Sequence, residues 1–403
     1  MASAATAGRP SASEYDPFGD AVMRDPWPFY AALRRESPVH YIEKYDTWFL
    51  SKFEDIREST LNDTFSAEKG VTPEMVILKR PPPPDPVFSM MDQPRQKPYR
   101  KVFAPRYGKN AVAALEDGIR ARTRATLAPL VERGHFDVYS DYADPIATAI
   151  IGELIGLPPD EVHDLRAGIG AFMAREPGQV GTRPENDEAM MKVMVRLAQI
   201  IEERRAAGDD EGDDHISALL RAEVEGGPLS LAAIVAGVHT MLVTGAEVVP
   251  LSVANTIFYL AKHPDQRARV LADPELVRHA FAESLRYDQP TNLLGRTVRE
   301  AVEIRGQKLE PGQGVMFLWA SGNRDEEEFP EADRFDIDRR PSRVLSFGHG
   351  AHKCIGEHLG NLEGRVLIEE LLAAMPDYAV DTEGAERVYS EFLHGYHRMP
   401  IGI

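Results

Sequence analysis

Apolar positions along the chain follow two different periods. Over Ala111–Val131, Ile146–Ile155, Val162–Met173, Met190–Ile201 and Ala232–Leu260 they recur every three to four residues, which predicts helices. Nearer the N-terminus, Pro26-Trp27-Pro28-Phe29-Tyr30 opens a short helix ending near Arg35. Val39 to Leu50 then alternates Tyr41, Trp48 and Leu50 about a polar turn at Lys44-Tyr45-Asp46, which predicts a strand pair, and Phe53–Leu61 reads as helix. Val71 to Asp92 fits neither period. Pro81-Pro82-Pro83-Pro84 excludes regular helix, yet Val76, Ile77, Val87, Phe88, Met90 and Met91 make the segment apolar. Such a loop is either a lid or binding wall, or a packed Ω-loop.

With 403 residues and 43% hydrophobic content the chain can bury a large core, and nothing in it marks an internal repeat or a domain boundary. We expect a flexible tail over residues 1–15 and one domain over residues 16–403. The N-terminus lacks the charged start and apolar run of a signal peptide, and no stretch approaches a spanning length of apolar residues. A single cysteine points to a reducing compartment, so a soluble cytoplasmic protein without membrane insertion is expected. The net charge of −18 argues against nucleic acid as a partner. The acidic run Asp209-Asp210-Glu211-Gly212-Asp213-Asp214-His215 lacks calcium-loop spacing and reads as a solvated helix connection.

That one cysteine stands in Phe347-Gly348-His349-Gly350-Ala351-His352-Lys353-Cys354-Ile355-Gly356, ahead of a strong helical pattern. Gly348, Gly350 and Gly356 permit positive φ and close approach of a flat partner. Turn N–H groups and the following helix dipole would lower the pKa of Cys354, making it a metal ligand or a nucleophile. A buried, inert thiol is the alternative. The pattern Phe-Gly-x-Gly-x-His-x-Cys-x-Gly resembles the haem-binding loop of the cytochrome P450 family. The resemblance runs in family order from about Asp16 to the end of the chain. It implies a mainly α fold with small β-sheets in a single triangular helical domain, binding haem b with Cys354 as the axial thiolate on iron. Phe347, Gly348 and Gly356 would shape that loop.

A second stretch, Met241-Leu242-Val243-Thr244-Gly245-Ala246-Glu247-Val248-Val249-Pro250, interrupts a helical pattern with glycine, glutamate and proline. Pro250 deprives the Ala246 carbonyl of its partner, so a kink or opening is expected there, with Gly245 leaving room beside it. The resemblance places this segment over the distal face of the haem and matches Glu247 to the family's acid. The threonine or serine usual at the next position is Val248 here, and a valine delivers no proton. Water, a substrate hydroxyl or Thr244 would have to take over that role. The alternative for Glu247 is a buried acid paired with a neighbouring helix.

Glu283-Ser284-Leu285-Arg286 places an acid and a base three apart on one helix face. The resemblance makes them part of a structural charge cluster whose third member would be Arg334, in Asp333-Arg334-Phe335. It also implies that Arg296, Arg100 and His352 hold the haem propionates, with Gln96 in place of the family's histidine and a weaker anchor as the result. Candidate substrate contacts by family position are Val87, Phe88, Met90, Val243, Val248, Thr291 to Leu294 (Leu293 and Leu294 foremost), Phe392 and Leu393. Being mostly apolar, they favour a lipophilic small molecule.

The implied function is a monooxygenase, soluble and monomeric, that uses dioxygen and electrons from a ferredoxin or flavodoxin-like donor. Basic residues flanking the loop in sequence, Lys101, Arg106, Lys109, Arg343, Lys353 and Arg365, would steer such an acidic donor. Val248 motivates a second reading, peroxide-driven oxidation, substrate-assisted oxygen activation, or coupling and rearrangement chemistry. A third is a non-enzymatic haem sensor.

Overall fold

A computed structural model describes residues 9–85 and 87–402; Met1–Gly8 of the expected tail and Pro86 of the proline-rich loop lie outside the described residues. The helical periods become helices at Lys109–Ala113, Glu116–Arg133, Asp144–Ile155, Pro159–Met173 and Pro184–Ala207, with the longest at Leu231–Lys262. This central helix starts at Ser230, whose hydroxyl accepts the Ala233 N–H at 3.0 Å, and stops before Pro264. It packs against the Asp144–Ile155, Pro184–Ala207, Val277–Tyr287 and Glu357–Ala374 helices, so almost all of its circumference is covered. That explains a composition without polar faces.

By length and hydropathy the central helix would cross a membrane, contrary to the sequence expectation that no stretch approaches such a span. Its burial within the protein accounts for the same apolar character. Pro250 also behaves differently from expectation. The helix continues unbroken through it, and Ser252 Oγ donates to the Val248 carbonyl at 2.7 Å in the next turn.

The predicted strand pair appears as β1 (Val39–Ile42) and β2 (Thr47–Leu50), joined by a turn in which Asp46 takes φ 45°. With β3 (Phe65–Ser66), β4 (Leu294–Val298) and β5 (Gly314–Phe317) they form one sheet in the order β1-β2-β5-β4-β3. The β2–β5 pair is parallel and the others are antiparallel. Every residue of β2 and β5 is buried because both faces are covered. Trp48, Leu50, Val315 and Phe317 pack on one side. Phe49 and Met316 join Tyr15, Tyr30 and Leu293 on the other. The described part of the expected tail is therefore anchored: Tyr15 is in that cluster, and the Ala12 N–H donates to Glu36 at 2.8 Å.

Candidate functional site

The cysteine loop is closed by backbone bonds. Cys354 N–H donates to the Phe347 carbonyl at 2.8 Å, Gly348 N–H to Leu345 at 2.9 Å and Lys353 N–H to Gly350 at 3.1 Å. Gly348 and Gly350 take φ near +68° and +69°, and a Cβ on Gly350 would come within 2.6 Å of the Thr60 carbonyl. Gly356, at φ −84°, needs no such freedom and instead caps the Glu357–Ala374 helix. Cys354 retains open surface although it lies deep in the protein, which marks it as a cavity wall. Burial pushes its thiol up, outweighing the Gly356 N–H and the charge of Arg100, both of which pull it down. The sequence expectation of a lowered pKa is thus overturned by desolvation, the larger effect for the protein alone.

Above this loop runs the central helix. An ideal Cβ on Gly360 would lie 3.9 Å from both Phe347 and Val249, so the loop, the C-terminal helix and the central helix converge there. His239, Thr240, Val243, Gly245 and Val248 are incompletely buried in this region of the helix, and Thr244 is exposed. The Thr244 hydroxyl donates to the Thr240 carbonyl at 2.8 Å, so its one proton is already committed. Gly245 does not line the opening. Its missing Cβ would collide with Ile151 at 2.5 Å, which makes it a packing glycine against the Asp144–Ile155 helix.

Glu247 points into a buried ion cluster. Arg166 Nη1 donates to it at 2.8 Å, and the same guanidinium reaches Asp144 and the Tyr139 hydroxyl. Burial raises the pKa of Glu247, with Arg166 opposing. The pairing with a neighbouring helix is present, and Arg166, Asp144 and Tyr139 carried no motif by which the sequence could have revealed them.

Buried positive groups gather beside the loop. Arg296 is 7% exposed, and its guanidinium donates only to the Gly295 carbonyl among the described residues. Burial lowers its pKa to about 10. Gln96 Nε2 meets His352 Nδ1 at 3.0 Å, and Arg100 donates to the Lys353 carbonyl at 2.6 Å. Desolvation, with Arg296 and Arg100 nearby, lowers His352 to about 4. The neighbouring acid, Asp92, is engaged by Arg299 at 2.5 Å and by Ser66 and Ala67. A buried guanidinium without a carboxylate partner fits an anionic ligand.

The charge cluster forms, with one member changed. Arg286 makes a two-pronged pair with Glu283, both bonds 2.8 Å and both side chains fully buried. The third member is Arg339, 3.2 Å from Glu283, whereas Arg334 is 60% exposed and contributes only its carbonyl. Phe335 is the reason: its ring is buried against Tyr259 and His263, which turns the adjacent Arg334 side chain outward.

The cytochrome P450 family model matches residues 181–375. The vitamin D(3) 25-hydroxylase of Pseudonocardia autotrophica is 33% identical over 395 residues, covering 96% of each chain. This chain belongs to the cytochrome P450 family. Cytochrome P450 109 of Bacillus spizizenii is 29% identical over 94% of this chain and 92% of its own. Among solved structures, a mutant of P450 EryK in complex with erythromycin B superposes with a TM-score of 0.83 at 28% identity, covering 95% of this chain and 96% of that one. The protein is accordingly a P450 monooxygenase that binds haem with a cysteine thiolate, and Cys354 is its only cysteine. The buried guanidinium of Arg296, bonded only to the Gly295 carbonyl among the described residues, suits a propionate of that group.

The substrate positions divide. Val243, Val248, Met90 and Phe392 are half-buried, as cavity-wall residues should be, whereas Leu294, also half-buried, packs on the cluster that holds Trp48 and Phe317. Leu293, at 1% exposure, belongs instead to the apolar cluster with Phe49 and Met316, because strand alternation turns it to the opposite face from Leu294. Val87 and Phe88 are buried around a small cavity of about 20 Å³ with Phe103, Leu219 and Gly237. Leu393 is buried at 3%, its backbone bridged to Thr291.

Proposed function

We propose that this P450 hydroxylates a lipophilic small molecule held between the central helix and the cysteine loop, using electrons from a separate redox protein in the cytoplasm. The observation that carries the reading is the meeting of the loop bearing Cys354, whose surface is open, with the central helix where Phe347 and Val249 both approach Gly360. The relative named vitamin D(3) 25-hydroxylase and the EryK structure with erythromycin B support a large, lipophilic substrate. Bound haem supplies dioxygen activation, and its thiolate ligand favours O–O cleavage. Arg296, Arg100, His352 and Gln96 hold the propionates. Glu247, held by Arg166 and with its pKa raised by burial, is the acid of this cluster on the central helix that can take up and release a proton.

The donor docks where Lys97, Lys101 and Lys109 are exposed and unpaired among the described residues. The other basic candidates are neutralised by Asp213, Glu54 and Glu328, Glu357, Glu116 and Glu369 respectively. A second reading, oxidation driven by peroxide, draws on one observation. Val248 has no proton to give, and Thr244 spends its own on the helix. Turnover of a spin-shifting lipophile with donor and dioxygen, against peroxide alone, divides the two. Product from peroxide only would reject the first. A reduced carbon monoxide complex without the red-shifted Soret band would reject both.

A further inference from the structure

Tyr107 and His215 form a buried pair on the cysteine side of the molecule to which monooxygenation gives no task. Tyr107 ends the Gln96–Tyr107 helix and is 4% exposed, while His215 opens the His215–Arg221 helix and is fully buried. The Tyr107 hydroxyl and His215 Nε2 lie 3.1 Å apart, and the two rings stack at 17° with their centroids 5.4 Å apart. Arg100, two turns earlier on the same face of the helix, bonds the Lys353 carbonyl, so that face addresses the cysteine loop. The charge of a Cys354 thiolate is felt at the Tyr107 hydroxyl.

The hydrogen bond has a direction. Burial lowers the pKa of His215 to about 4, so its imidazole is neutral and carries one proton. His215 Nδ1 is buried without a partner among the described residues. A proton on Nε2 would leave both Nδ1 and the phenolic hydrogen unmet, whereas a proton on Nδ1 leaves only that N–H unmet. Tyr107 therefore donates and His215 Nε2 accepts. The phenol does not ionise beforehand, because burial pushes its pKa up. It can release an electron readily only as its proton leaves, and a neutral imidazole nitrogen stands ready to take that proton. Other phenols are placed differently. Tyr142 and Tyr378 donate to the carbonyls of Leu367 and Ile257, which take up no proton, and Tyr139 accepts from the Arg166 guanidinium. Among the described residues no other tyrosine hydroxyl is bonded to an imidazole.

We propose that Tyr107 is a one-electron donor to the haem, with His215 as the base that receives its proton. The step follows when peroxide, or dioxygen with supplied electrons, has oxidised the haem above its resting ferric state and no substrate is there to take the oxygen. One electron passes from the Tyr107 ring to the haem. The phenolic O–H bond breaks, and its proton forms an N–H bond at His215 Nε2. The products are a neutral tyrosyl radical, an imidazolium and a haem one electron less oxidised. Unused oxidising power thus has an outlet on the cysteine side. This rests on the chain being a haem-thiolate monooxygenase, and the test separates the two.

Substrate-free holoenzyme would be mixed with peracetic acid and frozen at successive times, and electron paramagnetic resonance spectra recorded for the wild type, Tyr107→Phe and His215→Phe, and for wild type grown on ring-deuterated tyrosine. The expected result is an organic-radical signal in the wild type that narrows with the deuterated ring and is lost in Tyr107→Phe. In His215→Phe, which keeps a stacked ring but removes the base, radical formation slows by about a hundredfold. A wild type without the signal, a signal that does not narrow, or one that persists in Tyr107→Phe overturns the proposal. So does an unchanged rate in His215→Phe. If Tyr107→Phe fails to take up haem, His215→Phe decides, and failure of both assigns the pair a structural role and rejects electron donation. A reduced carbon monoxide complex of the wild type without the red-shifted Soret band would instead sink the haem-thiolate reading itself.

Discussion

At Val248 the resemblance leads one to expect a threonine or serine, and the difference a valine makes there is chemical rather than structural. It keeps the helix intact but removes a hydroxyl at the point where the central helix meets the cysteine loop. Thr244 cannot replace it while donating to Thr240. We expect Val248→Thr to raise the fraction of reducing equivalents recovered as product, and to lower hydrogen peroxide release by about tenfold, a modest share of what a positioned proton donor contributes. Measuring peroxide and product against donor consumed checks this. An unchanged ratio would show that proton delivery does not pass through position 248 and would leave it to Glu247.

Among the elements, the helix carrying Glu283 and Arg286 is tied to the segment before the cysteine loop by Arg339. Removing one partner of a buried ion network leaves a charge unmatched, so Arg339→Ala should cost about 3 kcal/mol of unfolding free energy. Arg334→Ala should stay within about 0.5 kcal/mol, since that side chain is 60% exposed. Denaturant unfolding of the two holoproteins compares them. Equal losses would return Arg334 to the cluster. A similar element-level tie links three segments through Arg175, which bonds both Glu74 and Glu391 and so fastens the chain after the Pro159–Met173 helix to the loop bearing Phe392.

For the molecule as a whole, charge and burial govern the response to pH and salt. Glu363 on the C-terminal helix is 2% exposed with an unpartnered Oε2, and burial raises its pKa well above the usual carboxylate value. In the pH range above its unfolded value the native protein keeps that proton while the unfolded chain loses it, so this group lowers stability as pH rises. Glu363→Gln removes the penalty. Its stability relative to wild type should therefore climb by about 1.4 kcal/mol per pH unit from about pH 5 upward, and vanish near pH 4. Unfolding midpoints across that range test it; a difference independent of pH would mean that Glu363 is paired in solution. The net charge of −18 repels an acidic donor except near Lys97, Lys101 and Lys109. Changing these three to Glu should slow reduction by the donor about tenfold at low salt, with the gap closing as salt is added. Stopped-flow reduction at two ionic strengths measures it.

The sequence by itself determined the helices, the strand pair, the cysteine loop and the placing of Glu283 and Arg286 on one helix face, while that pair's burial was what the family resemblance implied. Each rests on a local period or a short spacing, and local patterns survive without knowledge of the fold. Direction was another matter. Whether Gly245 faces Ile151 or the cavity, and which side of the sheet Leu293 joins, each turn on one step along a helix or strand, and whether Arg334 or Arg339 completes the cluster turns on where Phe335 is buried. Only packing fixes that step. Charge balance was decided at the same level: desolvation, which no sequence spacing reports, sets the thiol of Cys354 against its own loop dipoles, and ion pairs made across the fold to Asp213, Glu54 and Glu116 neutralise Arg106, Arg343 and Arg365, three of the six basic residues that the sequence placed beside it.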